Sequence, residues 1–124
     1  MSQAKKILVI EPGSSERSTM IEALAEYEVL VVASAGDAIG AANDTDVDLV
    51  IMELSLGGHS GMEFLYEFRT YEDWQNIPII IYSGLRVDDE VLKSRTWQQL
   101  NIAGYLYKPA SSLERLKISI SKVL

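Results

Sequence analysis

Four side chains able to handle charge stand at the ends of four apolar runs: Glu11 after Ile7-Leu8-Val9-Ile10, Glu53 after Leu49-Val50-Ile51-Met52, Ser83 after Ile79-Ile80-Ile81-Tyr82, and Lys108 after Tyr105-Leu106-Tyr107. Two acids, a hydroxyl and a lysine are the groups that pair a carboxylate and hold the oxygens of an anion. A partly buried Lys108 needs a counter-charge, and either Glu53 or Glu11 would serve. Ser83 reads equally as a cap on the turn that follows its run. His59 lies in the loop Gly57-Gly58-His59-Ser60-Gly61 and has no second histidine with which to share a metal or a proton, so it reads as a solvated loop residue.

The elements that must position these groups are legible from periodicity. Short Val/Ile/Leu runs alternate with longer stretches of helical period, the pattern of βα units around a parallel sheet covered on both faces. Strands are expected at Lys6–Glu11, Val29–Ala33, Asp48–Glu53, Pro78–Ser83 and Ala103–Tyr107. Met20, Leu24 and Tyr27 recur at helical spacing, as do Leu113, Leu116 and Ile120, and both sets read as core stripes. Ser60 followed by Glu63 is a capping box, and Pro12-Gly13-Ser14 supplies a turn and a cap before the first helix. Asp88, Asp89 and Glu90 crowd the start of the fourth helix, where its macrodipole favours acids without any metal. In an open sheet of this kind chemistry sits outside the carboxyl ends of the strands, where all four charged or polar residues fall.

Composition narrows the function classes. The chain has 124 residues, 48% hydrophobic content and no cysteine, which fits one domain over residues 1–124 and excludes a disulfide framework or a thiolate metal site. Only four apolar residues separate Lys6 from Glu11, too few for a signal-peptide core or a membrane span, so a cytoplasmic location is expected. A formal charge of −7 without a basic cluster argues against direct binding of nucleic acid. A protein partner is the expectation.

The order and spacing of these residues resemble the response-regulator receiver domain over essentially the whole chain. That family carries an acidic pair after strand one, an aspartate after strand three, Ser or Thr after strand four and Lys-Pro after strand five. Glu11 and Pro12 match the acidic pair, Glu53 the phosphoacceptor aspartate, Ser83 the hydroxyl, and Lys108-Pro109 the lysine and proline. The resemblance implies a flavodoxin-like (βα)5 fold with strand order 2-1-3-4-5. It implies switch or phosphate-contact roles for Ser83, Tyr105 and Lys108, and a degenerate acidic, Mg2+-type site at Glu11, Pro12 and Ser55. Tyr105 falls where the family has an aromatic whose rotamer follows the hydroxyl, although it also reads as a plain sheet-edge aromatic.

Glu53 and Pro12 depart from the family pattern, and both departures weaken the cation site. Pro12 offers no carboxylate, and glutamates displace the remaining oxygens by a methylene from where a hard octahedral cation wants them. Weak or absent Mg2+ binding and no other cofactor are expected. Glu53 reads either as a built-in partial mimic of an aspartyl phosphate or as the neutralising partner of Lys108 in a relic site. The expected function is a non-enzymatic signalling module working through protein contacts independently of phosphorylation, with a histidine kinase, an output domain or a second copy as partner. Its interaction face, by family resemblance, joins the fourth helix, fifth strand and fifth helix and takes in Arg95, Trp97, Tyr107, Arg115, Ile118 and Lys122. Trp97 falls off the stripe of Leu92, Thr96 and Leu100, so it reads either as a surface aromatic of that face or as a Trp lying across the flank of a neighbouring helix. Two alternatives are a Mg2+-dependent phosphorylatable switch, and a flavin- or nucleotide-binding domain using Gly13 to Thr19. No Walker-type Gly-Lys-Ser/Thr supports the second.

Overall fold

The computed structural model describes residues 4–56 and 61–124. Ser60, with it the capping box to Glu63, and His59 in its glycine-rich loop lie outside the described residues.

Five parallel strands form one sheet in the order β2-β1-β3-β4-β5. Their ranges are β1 Lys6–Ile10, β2 Glu28–Val32, β3 Leu49–Met52, β4 Ile79–Ser83 and β5 Gly104–Tyr107. The helices are α1 Ser14–Ala23, α2 Ala35–Asp44, α3 Gly61–Thr70, α4 Asp89–Lys93, α5 Arg95–Gln99 and α6 Leu113–Val123. This is the doubly wound α/β architecture expected, with four strands trimmed by a residue or so at their ends and β2 shifted one residue earlier. The central strands are buried on both faces, which is why they are continuously apolar.

Alternate residues of the central strands β1, β3 and β4 feed two cores. Leu8, Ile10, Val50, Met52, Ile79 and Ile81 pack with α2, α3 and Trp97 of α5 on one face. Ile7, Val9, Leu49, Ile51 and Ile80 pack with Met20 and Leu24 of the α1 segment and Leu116 and Ile120 of α6 on the other. The two helical stripes read from the sequence thus lie against one face, with Tyr27 and Leu113 at its margin.

Local signals explain most boundaries. Ser34, Ser94 and Ser112 accept hydrogen bonds from the amides of Asp37, Trp97 and Arg115 at 3.2, 3.2 and 3.1 Å and so cap α2, α5 and α6. At α1 the expected cap is displaced: Gly13 occupies the cap position, without a side-chain bond, and Ser14 is already helical. Gly61 accommodates a close approach, since a Cβ there would lie 2.7 Å from the Leu54 carbonyl oxygen, whose partner is the Gly61 amide at 2.8 Å.

The expected fourth helix is two helices. Ser94 takes an extended conformation and accepts the Trp97 amide, so α4 ends and α5 begins at a new rotation. That break rules out the surface reading of Trp97 in favour of packing. It is 7% exposed and packs edge-on against Tyr105 with ring centroids 6.4 Å apart, because restarting the helix turns Trp97 and Leu100 together into the core.

Candidate functional site

The parallel register brings the carboxyl ends of β1, β3, β4 and β5 side by side, and Glu11, Glu53, Ser83 and Lys108 meet there. Glu11 and Glu53 are anchored by their own backbones, their amides donating to the carbonyls of Val32 and Ile10 at 2.9 and 3.0 Å. Among the described residues, the buried polar or charged ones are these two glutamates, at 6% and 8% exposure, and the fully enclosed Ser83.

The Lys108 ammonium lies between the two carboxylates. Nζ donates to Glu11 Oε1 in a short contact and to Glu53 Oε1 at 3.1 Å, and it sits 5.6 Å from the centroid of the Tyr82 ring. Burial alone would lower the lysine pKa, but Glu11 and then Glu53 outweigh it and raise the value above 10.5. Lys108 is therefore a fixed cation at any physiological pH.

Glu53 takes four donors. Oε1 accepts from the Gly84 amide at 3.0 Å as well as from Lys108, and Oε2 accepts from the Ser55 amide at 3.1 Å and from the Ser83 hydroxyl. Burial pushes its pKa upward, but the bonds from Gly84, Ser83, Ser55 and Lys108 together prevail and hold it below 4.5. Glu53 is an ionised carboxylate with both oxygens saturated.

Ser83 relays this to the next loop, for its Oγ accepts the Leu54 amide at 3.3 Å and the Leu85 amide at 3.0 Å while donating to Glu53. Tyr105 stands on the edge strand, yet its hydroxyl clamps the same loop, donating to the Leu85 carbonyl and accepting from the Val87 amide at 3.0 Å. Burial raises its pKa first, against the lowering effect of the Val87 bond, so the phenol stays protonated and able to donate.

Of the residues expected in a cation site, Glu11 is committed to Lys108 and, through Oε2, to the Gly13 amide at 3.0 Å. Pro12 presents only a carbonyl, and Arg17 Nη1 covers it at 2.8 Å and the Glu11 carbonyl at 3.0 Å. Ser55 contributes its amide to Glu53. With four donors on Glu53, two on Glu11 and a cation already between them, the residues present do not fit Mg2+. Arg17 and the amides of Ser55 and Gly84 were not foreseen; a cation one turn into a helix could have pointed to the first, but backbone donors carry no sequence signal.

The remaining expected surface residues are dispersed along one edge of the sheet. Arg95, Arg115, Ile118 and Lys122 are exposed, and Tyr107 is half-buried beneath the Arg86 guanidinium, 5.5 Å from its ring centroid. The α4–α5 pair flanks β5 on one face and α6 on the other, as the two core clusters require.

A doubly wound sheet with a charged cluster at the carboxyl ends of β1, β3 and β5 defines a class of signalling domain. The chain belongs to the response regulator receiver domain family, whose pattern matches residues 7–121. It is 31% identical over 117 residues to the two-component response regulator-like protein APRR1 of Arabidopsis thaliana, a match covering 91% of this chain and 18% of that protein. The regulatory protein VirG of Agrobacterium fabrum is 29% identical over 116 residues, covering 90% of this chain and 43% of VirG. The chain thus spans less than half the length of these relatives. Among solved structures, the chemotaxis protein CheY4 of Vibrio cholerae superposes with a TM-score of 0.85 at 24% identity, covering 98% of this chain and 99% of that one. The response regulator TrrA of Thermotoga maritima, solved in complex with Mg2+–BeF, superposes at 0.79 with 24% identity, covering 97% and 99%. These likenesses fix the fold. No helix among the described residues is long and apolar enough to cross a membrane.

Proposed function

We propose that this receiver domain is a phosphorylation-independent interaction module of a two-component type pathway, in which Glu53 replaces the family's phosphoacceptor aspartate and permanently occupies the anion position. The observation that carries this reading is the set of four donors on the Glu53 carboxylate. Lys108, the Ser83 hydroxyl and the amides of Ser55 and Gly84 converge as they would on the oxygens of a group attached to a shorter side chain. The extra methylene carries the charge outward into those donors. A carboxylate supplies one negative charge where a phosphate supplies roughly 1.5 to 2, so the imitation is partial. A fixed group of this kind biases a two-state element only by its differential energy in the two states.

The readout runs through Ser83 and Tyr105 into the loop after β4 and so to the β5 edge. There Arg95, Tyr107, Arg115, Ile118 and Lys122 form the face offered to a protein partner, a histidine kinase, an output domain or a second copy, in the cytoplasm. Trp97 acts beneath that face as packing. The domain transfers no group and holds no Mg2+.

An amide NMR titration of the domain with Mg2+, then with Mg2+ plus beryllofluoride, tests this. The expected result is no saturable shift at Glu53, Ser83, Tyr105 or Lys108 with millimolar Mg2+. Saturable shifts there would establish a ligand-driven phosphoacceptor switch instead.

A further inference from the structure

Beside the charged cluster a cleft of about 250 Å3 opens between α1, α6 and the ends of β1 and β3. Its floor is apolar, made by Val9, Ile51, Met20, Leu113 and the Tyr82 ring. Its rim holds Ser15, Glu16 and Thr19 from α1, together with Glu11. The hydrogen-bond inventory of that rim is one-sided. Lys108, the cation that reaches the cleft, is committed to Glu11 and Glu53, and the Thr19 hydroxyl already donates to the Ser15 carbonyl at 3.0 Å. What is left are mainly acceptors: the Glu16 carboxylate and the Ser15 hydroxyl, neither with a side-chain partner among the described residues, and the remaining lone pairs of Thr19 and Glu11. Glu16 folds back over Gly13. A Cβ on Gly13 would lie 1.7 Å from Glu16 Oε2 and 3.5 Å from Glu11 Oε2, so the two carboxylates, both of which line the cleft, approach each other beside Gly13.

We infer that this cleft binds a small amphiphilic amine, with an aryl or alkyl body on the Met20, Leu113 and Tyr82 floor and its ammonium between Glu16 and Glu11. Three carboxylates and one ammonium line the cleft, which disfavours an anionic head group and leaves a neutral one without the attraction. The volume suits one ring with a short tail, on the order of ten non-hydrogen atoms and a Kd on the order of a millimolar. The site does not depend on how Glu53 functions. It shares Glu11 with the charged cluster and adds Glu16 and the apolar floor, which that cluster does not use.

The test follows methyl and amide signals of Met20, Leu113 and Thr19 during titration with phenethylamine, phenylacetate and 2-phenylethanol. Phenethylamine is expected to give saturable shifts centred on the cleft, with phenylacetate about tenfold weaker or absent. Glu16→Gln should weaken the amine about two- to fivefold, the range of an exposed ion pair, and leave the alcohol unchanged. Thr19→Phe, at an exposed position where folding is not at stake, should fill the cleft and abolish binding of all three. Equal binding of amine and acid, shifts scattered over the surface, no saturation, or an unaltered Glu16→Gln affinity would each overturn the inference.

Discussion

Lys108 and Glu53 make opposite demands on pH. The Glu53 carboxyl is held below 4.5, so its contribution to stability is complete above that ordinary value and is lost as pH falls through the lower folded value. Glu53→Gln keeps an acceptor oxygen for one pair of donors, Lys108 with Gly84 or Ser55 with Ser83, but has no proton to take up. Urea denaturation at a series of pH values down to about 3 should therefore show a shallower acid loss in the variant than in the parent. Parallel curves would mean that the four donors do not favour the ionised form. Lys108, whose pKa is raised above 10.5, contributes stability that is complete below that value and fades only as pH rises through the folded one. Lys108→Met leaves Glu11 and Glu53 facing each other without a cation. We expect a loss of about 2 kcal/mol at neutral pH, less than the ~3–5 kcal/mol for a fully buried pair, because the lysine side chain is 23% exposed. On mild acidification the variant should then lose less stability than the parent, because Glu53 has given up one of the four donors that hold its carboxyl ionised. A variant that loses stability there as the parent does would refute the shared-cation arrangement.

At the scale of elements, the loop after β4 is held by side chains on two strands, Ser83 below and Tyr105 from the edge. Tyr105→Phe keeps the ring against Trp97 but removes the acceptor of the Val87 amide and the donor to the Leu85 carbonyl. Hydrogen exchange should show the Val87 amide losing protection while Ile80 and Ile81 keep theirs, with a global cost of about 1 kcal/mol. Protection retained at Val87 would show that the hydroxyl does not hold the loop. The residues of the site and of its supports differ in how far they could be read beforehand. Ser83 and Lys108 announced themselves as polar residues ending apolar runs, and the strands were legible because a sheet buried on both faces demands continuous Val, Ile and Leu. The α4–α5 segment misled, since periodicity carried from Leu92 through Thr96 to Leu100 assumes unbroken rotation and Ser94 resets it. Arg69 was invisible for another reason. Its guanidinium donates to the carbonyls of Leu100, Trp74, Gln75, Ile77 and Asn101, tying the end of α3 to the approaches of β4 and β5, and backbone acceptors leave no mark on a sequence.

For the whole molecule the decisive fact is that each central strand alternates between two cores. Residues next to each other in β1, Ile7 and Leu8, belong to opposite clusters, and the same holds for Val50 and Ile51 in β3 and for Ile79 and Ile80 in β4. Neither layer of helices can leave without exposing the strands on which the other depends. The domain should then unfold as one cooperative unit, as single domains of this size ordinarily do. The tryptophans make this measurable, because Trp74 and Trp97 are both buried and both lie on the α2, α3 and α5 side, whereas the α1 and α6 side has none. Fluorescence reports one layer and far-ultraviolet circular dichroism reports both. Urea transitions followed by the two probes should coincide in midpoint and in slope. If fluorescence changed first, the Trp97 side would be opening as a separate unit, and the α4–α5 segment would be a locally unfolding element instead of a packed part of the core. If circular dichroism changed first, α1 and α6 would be melting from an intact sheet, and the cleft they border could not be treated as preformed.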